Sequence, residues 1–229
     1  MNLNLAGKAI FVTGGSKGFG RAMVLSFAKA GASYIAAGAR SDMSLLGRDV
    51  IAAAESAKRP IPKFLPVRLD VTDEKSVNAA ANFVKAEFGR CDILINNAGI
   101  MGCLKPIAES DPAEWWQNFE VNVRGTYLIS RAFIPLLLDS DNGQKTVINV
   151  SSVGAHLVNP VVSAYQTSKL ALLRLSQFID REYASQGLLS MCIHPGNSPT
   201  EIIGDPKEVP DHLLNGKLIP HCHHSQARC

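Results

Sequence analysis

Tyr165 and Lys169 stand four residues apart in a stretch, 163–186, whose length and pattern predict a helix, so the two side chains share one face. An ammonium beside a phenol favours the phenolate and lowers the tyrosine pKa from about 10 towards the range of a working acid and base. Tyr127 and Arg131 repeat the spacing, so the pair alone is not diagnostic. Ser152 separates the two cases. It lies thirteen positions before Tyr165, at the end of a predicted strand, where a hydroxyl can hydrogen-bond a carbonyl. Ser151 belongs to that strand and is expected to face the opposite side. Tyr127–Arg131 has no partner serine and reads as a surface or interface contact. His156 and His194 are acid–base candidates by residue type only.

A second chemistry-bearing stretch lies near the start. The apolar run Ala9-Ile10-Phe11-Val12 leads into Thr13-Gly14-Gly15-Ser16-Lys17-Gly18-Phe19-Gly20, and a helical pattern follows at once. Glycines let the backbone turn sharply and approach a ligand, while a helix start offers free N–H groups to a pyrophosphate. Strand, glycine turn and helix together meet the context of a dinucleotide site, with a simple βα turn as the plain alternative.

These residues need a frame to hold them. Short apolar runs at 8–13, 33–37, 64–69, 92–96, 146–151 and 188–193 read as buried strands. Helical stretches at 18–30, 43–58, 73–88, 112–138 and 163–186 lie between them. Such alternation predicts right-handed βαβ units: an α/β fold with a doubly wound parallel sheet of six strands, covered on both faces. Asp111 as N-cap, Pro112 at the first position and Glu114 closing a capping box start the fourth helix. Thr72 is expected to cap the third, with Asp73 and Glu74 in its first turn.

The TGxxxGxG spacing of residues 13–20 resembles the short, single-domain branch of the short-chain dehydrogenase/reductase superfamily. Further motifs of that family fall in order: Asp70-Val71, Asn96-Asn97-Ala98-Gly99, Asn122, Ser152, Tyr165-Gln166-Thr167-Ser168-Lys169, Pro195-Gly196 and Thr200. The motif spelling is similar to reductases of fungal type, many of which serve secondary metabolism. The resemblance spans about residues 5–205, implying one Rossmann-type NADP-binding catalytic domain over 1–205 and an atypical tail over 206–229. It implies that Tyr165 donates a proton to a carbonyl oxygen as hydride arrives from a nicotinamide. Lys169 would lower the tyrosine pKa and bind the nicotinamide ribose, Ser152 orient the carbonyl, and Asn122 support a water relay. Cofactor contacts implied in the same way are Gly14, Ser16, Lys17, Gly18, Phe19, Gly20, Arg40, Asp70, Val71, Asn97, Ala98, Gly99, Pro195, Gly196, Ser198 and Thr200.

Which nicotinamide cofactor is expected follows from the second strand. A site specific for NAD usually places Asp or Glu about twenty residues past the glycine turn, to hold the adenosine ribose. Ala39 stands there, followed by Arg40. Lys17 puts a cation at a helix N-terminus, against the macrodipole, which suggests an anion to offset it. In the family the 2′-phosphate of NADP lies near both positions. NADP(H) is therefore expected, the alternative being two solvated charges.

Segments expected to line the substrate pocket, 100–102, 153–160 and the surroundings of Ile202 and Ile203, lack a Lys or Arg to hold an anion. A small hydrophobic carbonyl or alcohol fits them. Composition agrees with a buried core: 46% of the 229 residues are hydrophobic and 19% charged, below the roughly 25% of ordinary globular chains. A net charge of +3 without a basic run argues against nucleic acid. Apolar stretches far shorter than about 20 residues argue against a membrane span. Met1 to Leu5 lacks the pattern of a signal peptide, and five scattered cysteines read as reduced thiols, so a cytoplasmic location is expected.

The family fold continues with a further helix and a seventh strand that complete the sheet edge and part of the subunit interface. The sequence past 205 shows neither pattern, only a short helical stretch near 210–215. Assembly into a homo-oligomer is left open, and a cofactor-binding but catalytically idle or truncated protein is the competing expectation. His221-Cys222-His223-His224 and Cys229 carry zinc-type ligands, but no second pair at finger spacing appears, and no metal is expected.

Overall fold

A computed structural model describes residues 3–140 and 143–196. Ser198, Thr200, Ile202, Ile203, the expected helix at 210–215 and the His/Cys cluster lie outside the described residues.

Six strands form one parallel sheet: β1 (Ala9–Thr13), β2 (Tyr34–Ala39), β3 (Lys63–Arg68), β4 (Ile93–Asn96), β5 (Thr146–Val150) and β6 (Leu189–Ile193), in the order β3-β2-β1-β4-β5-β6. Alternation along each strand assigns the two faces. Ile10 and Val12 of β1, with Ile35 and Ala37 of β2, pack against α1 (Gly18–Lys29) and α2 (Leu46–Ser56) through Val24, Ala28, Val50 and Ala54. Phe11 and Leu94 point the other way, into the layer built by α3 (Glu74–Phe88), α5 (Thr126–Leu138) and α6 (Ser163–Tyr183). There Phe11 stacks on Phe133, ring centroids 4.3 Å apart. Burial of both faces of β1, β2 and β4 explains their continuous apolar runs. Among the described residues, no helix is long and apolar enough to cross a membrane.

The stretch 112–138 follows one helical path in three parts. Asp111 caps α4 (Pro112–Phe119), its carboxylate accepting the Ala113 and Glu114 N–H groups at 2.9 Å each. The turn then widens to i→i+5 bonding over Glu120–Gly125 before α5 resumes the regular pitch. The Thr126 hydroxyl donates to the Asn122 carbonyl at 2.9 Å across this widened turn. Such bulges recur at functional sites because they re-aim a side chain within an otherwise rigid helix.

At α3 the cap is Asp73 rather than Thr72. The Asp73 carboxylate accepts the Lys75 N–H at 3.0 Å, whereas the Thr72 hydroxyl donates to Asp70 at 2.7 Å. Asp70, just past β3, competes for the threonine and leaves the next residue to start the helix.

Candidate active site

All six strands point their C-terminal ends to one edge, and the strand order reverses between β1 and β4. Ligands of such sheets bind outside that switch point. A cleft of about 580 Å³ opens there. It is lined by Gly14, Ser16, Lys17, Gly18 and Phe19 after β1, by Arg40 after β2, by Asp70 and Val71 after β3, and by Asn97, Ala98 and Gly99 after β4. Eleven residues widely separated in sequence thus share one wall system.

The glycine turn is locked by its neighbours. Gly14 has φ +67°, in the left-handed region that favours glycine, and a Cβ there would stand 2.9 Å from Asn97 Nδ2. A Cβ on Gly20 would collide with the Gly14 carbonyl oxygen and lie 2.6 Å from Asn97 Nδ2. Gly20 thus lets α1 pack closely on the turn. Thr13, buried at the end of β1, accepts the Asn97 and Ala98 N–H groups on its hydroxyl at 2.9 and 3.0 Å. That bracing of β1 to the β4 turn was not foreseen, although a polar residue closing an apolar strand is its signal in the sequence.

Arg40 and Lys17 are both exposed at the rim. The Asp70 carboxyl is held below the usual range, first by the Thr72 N–H, against the cost of burial, then by the Thr72 hydroxyl and by Arg40 and Arg68. Arg40 and Asp70 follow the neighbouring strands β2 and β3. Pro195 and Gly196 follow β6 at the same sheet edge but do not line this cleft.

The reactive side chains adjoin the cleft at Gly99. A Cβ on Gly99 would lie 3.1 Å from Asn122 Oδ1 and 3.4 Å from Lys169 Nζ. Asn122 is fully buried; it accepts the Ile100 N–H at 2.9 Å and donates to the Ile100 carbonyl and the Ser168 hydroxyl at 3.0 Å each. Ser168 in turn donates to the Tyr165 carbonyl at 2.7 Å within α6, so the Asn122–Ser168 bond ties the widened turn to that helix, a link that the residue pattern did not reveal. Lys169 Nζ donates to the Val150 carbonyl at 2.9 Å and lies 5.7 Å from the centre of the Tyr165 ring. The Ser152 hydroxyl accepts the Gly154 N–H at 3.0 Å, while Ser151 turns away and donates to the Lys169 carbonyl at 3.2 Å.

Burial reverses one expected electrostatic effect. It raises the Tyr165 phenol above its ordinary pKa, with the neighbouring Ser152 hydroxyl pulling the other way. Lys169 does not overcome that, because its own charge is disfavoured: burial pushes the ammonium down to about 8, opposed by the nearby Cys192. A cation that is itself poorly solvated is a weaker source of stabilisation for a phenolate than an exposed one.

The shift of Lys169 has a measurable sign. Its folded pKa of about 8 lies below the ~10.4 of an unfolded lysine, so the folded state binds fewer protons between those values. The penalty of burying the charge is full below the folded pKa and is relieved as pH rises through this window. In urea titrations, wild type should therefore gain stability relative to Lys169→Met between about pH 8 and 10. A flat or falling difference would contradict a buried ammonium.

The remaining candidates lie elsewhere. His156 and His194 are exposed and absent from the cleft. His156 instead borders a groove of about 660 Å³ over α6 and β6, which contains none of the catalytic candidates. Tyr127 is exposed, and Arg131 pairs with Glu74 at 2.8 Å, a surface contact as expected. Cys91, Cys103 and Cys192 are unbridged.

A family model described as short chain dehydrogenase matches residues 8–208. The chain is 60% identical over 212 residues to the short chain dehydrogenase pigC of Monascus ruber, covering 93% of this chain and 69% of that protein. It is 54% identical over 211 residues to the short chain dehydrogenase tazN of Aspergillus terreus, covering 92% of this chain but 45% of that relative's length. Among solved structures, a short chain dehydrogenase of Shigella flexneri complexed with NADP has a TM-score of 0.75 at 27% identity, over 87% of this chain and 81% of that one.

Proposed function

The chain belongs to the short-chain dehydrogenase family, and from that premise we propose that it uses NADP(H) to reduce the carbonyl of a small hydrophobic substrate, or to oxidise the matching alcohol. The relatives from Monascus and Aspergillus support a fungal-type enzyme and, with it, a reaction of secondary metabolism. Three unbridged cysteines support a reducing, cytoplasmic setting. The observation that carries the reading is the approach of Asn122 and Lys169 to Gly99 on the wall of a nucleotide-sized cleft, with the Tyr165 ring 5.7 Å from Lys169 Nζ and the Ser152 hydroxyl beside the phenol.

The cleft fits the cofactor part by part. N–H groups from Gly14 to Phe19 at the start of α1 suit the pyrophosphate, Asp70 and Val71 the adenine, and Asn97 to Gly99 the adenosine ribose. Pro195, Gly196, Ser198 and Thr200 are assigned the nicotinamide end. When bound, the cofactor supplies the hydride that the carbonyl carbon accepts. Tyr165 then protonates the oxygen as negative charge develops on it, and Ser152 holds that oxygen by a hydrogen bond. Lys169 holds the nicotinamide ribose. Asn122, anchored on Ile100, supports a water that returns a proton from solvent to Tyr165. Ile100, Met101 and Val121 give the cleft an apolar stretch beside Gly99, which favours a neutral substrate.

Burial of Tyr165 keeps it protonated at neutral pH, which favours reduction. NADPH oxidation with a panel of hydrophobic ketones should therefore be level through neutral pH and fall in the alkaline range, while alcohol oxidation rises there. Stopped assays across pH measure both directions. No turnover of any ketone or alcohol by protein that binds NADPH would overturn the catalytic reading.

A further inference from the structure

Asn118 and Asn122 stand one helical turn apart and use their amides in the same way. Asn122 brackets Ile100, accepting its N–H at 2.9 Å and donating to its carbonyl at 3.0 Å. Asn118 brackets Gly102, accepting its N–H at 3.3 Å and donating to its carbonyl at 3.3 Å. In a strand, the N–H and C=O of residues i and i+2 point to the same side. The two asparagines therefore replace an absent neighbouring strand along 100–102, one amide for each outward-facing peptide pair.

Asn118 is fully buried, and its amide also donates to the Glu114 and Trp115 carbonyls at 3.2 and 3.4 Å. A buried amide is costly unless its hydrogen bonds are made, so its presence among apolar neighbours marks a backbone that needs it. The residue after Gly102 explains the need. Cys103 is buried with φ +60°, a conformation that L side chains rarely adopt, so the backbone just past the clamp is held in a strained conformation. Met101 and Gly102 line the cleft beyond Gly99, next to the reactive group.

We propose that Asn118 is a positioning residue that clamps Gly102 and thereby sets the Met101–Gly102 wall of the cleft, which selects among ketones by size. The role in selection rests on the carbonyl-reductase reading; the clamp does not. Asn118→Leu keeps the branching at Cγ and removes both bonds. Asn118→Asp keeps the acceptor for the Gly102 N–H, removes the donors, and serves if the leucine variant does not fold.

Amide hydrogen exchange and steady-state kinetics on wild type and both variants test the two parts. In Asn118→Leu the Gly102 amide should exchange at least about 10-fold faster, as expected for loss of one net hydrogen bond, with Ile100 little changed. The ketone KM should rise by about 10-fold, with kcat and NADPH affinity nearly kept, and the kcat/KM ratio between compact and bulky ketones should shrink. Asn118→Asp should retain Gly102 protection and show a smaller rise in KM. Unchanged Gly102 exchange in Asn118→Leu, or loss of Gly102 protection in Asn118→Asp although the acceptor is kept, overturns the clamp. Faster exchange with KM and the ketone ratio unaltered overturns the role in selection. A wild type that reduces no ketone overturns the reductase reading and the selection role together, while the exchange result still decides the clamp.

Discussion

Replacing Tyr165 by Phe should lower NADPH-dependent ketone reduction by about 10³-fold, in the middle of the range a positioned general acid contributes. The substitution removes one oxygen and little else. The ring keeps its place in α6, and Lys169 keeps its bond to the Val150 carbonyl. NADPH affinity, read by cofactor fluorescence, should therefore stay within about twofold, and the loss should appear in kcat rather than KM. Ser152 remains beside the carbonyl in this variant, but a serine hydroxyl orients the oxygen without being able to give up its proton at neutral pH. A Tyr165→Phe protein retaining a tenth or more of wild-type activity would exclude Tyr165 as the proton donor.

Wild type is expected to bind NADPH about 100-fold more tightly than NADH, and Arg40→Asp to erase that preference. Arg40 follows the last residue of β2 and lines the cleft, with Lys17 at the N-cap of α1 on the same wall. Hydrogen bonds to charged groups contribute about 1.5–3 kcal/mol each, or roughly 10- to 100-fold in affinity, and the 2′-phosphate is the group the two cofactors do not share. An aspartate at this position would repel the phosphate. Because both cations are exposed, the NADPH advantage should narrow as salt is raised. Titration of both cofactors at two ionic strengths measures the preference and its screening. Equal affinities in wild type at low salt would remove the basis for assigning NADP(H).

Much of the frame was legible in the residues because it depends on short-range order. Six apolar runs fall within two residues of the observed strand ends, and the central strands β1, β2 and β4, buried on both faces, are the most continuously apolar of them. Asp111-Pro112 marked the start of α4 for an equally local reason. The stretch 112–138 was less legible. Its periodicity is helical throughout, yet the turn at Glu120–Gly125 widens, and nothing in a pattern of apolar positions distinguishes i→i+4 from i→i+5 bonding over six residues. Thr72 and Asp73 are both good caps, and only the position of Asp70 after β3 decided between them.

The sequence by itself determined the α/β class, the parallel sheet, the location of the glycine turn and the residues whose types suit acid–base chemistry. Each of these follows from spacing along one element or from the order of elements. The tertiary structure alone decided what those residues do to one another. It brought Thr13 against Asn97, Asn122 against Ile100 and Ser168, and Lys169 against Val150, pairs that are distant along the chain. It also decided the balance at Tyr165, where burial raises the phenol despite the cation one turn away. The physical reason is that spacing sets which groups can meet, whereas desolvation and hydrogen-bond partners depend on every element packed around them.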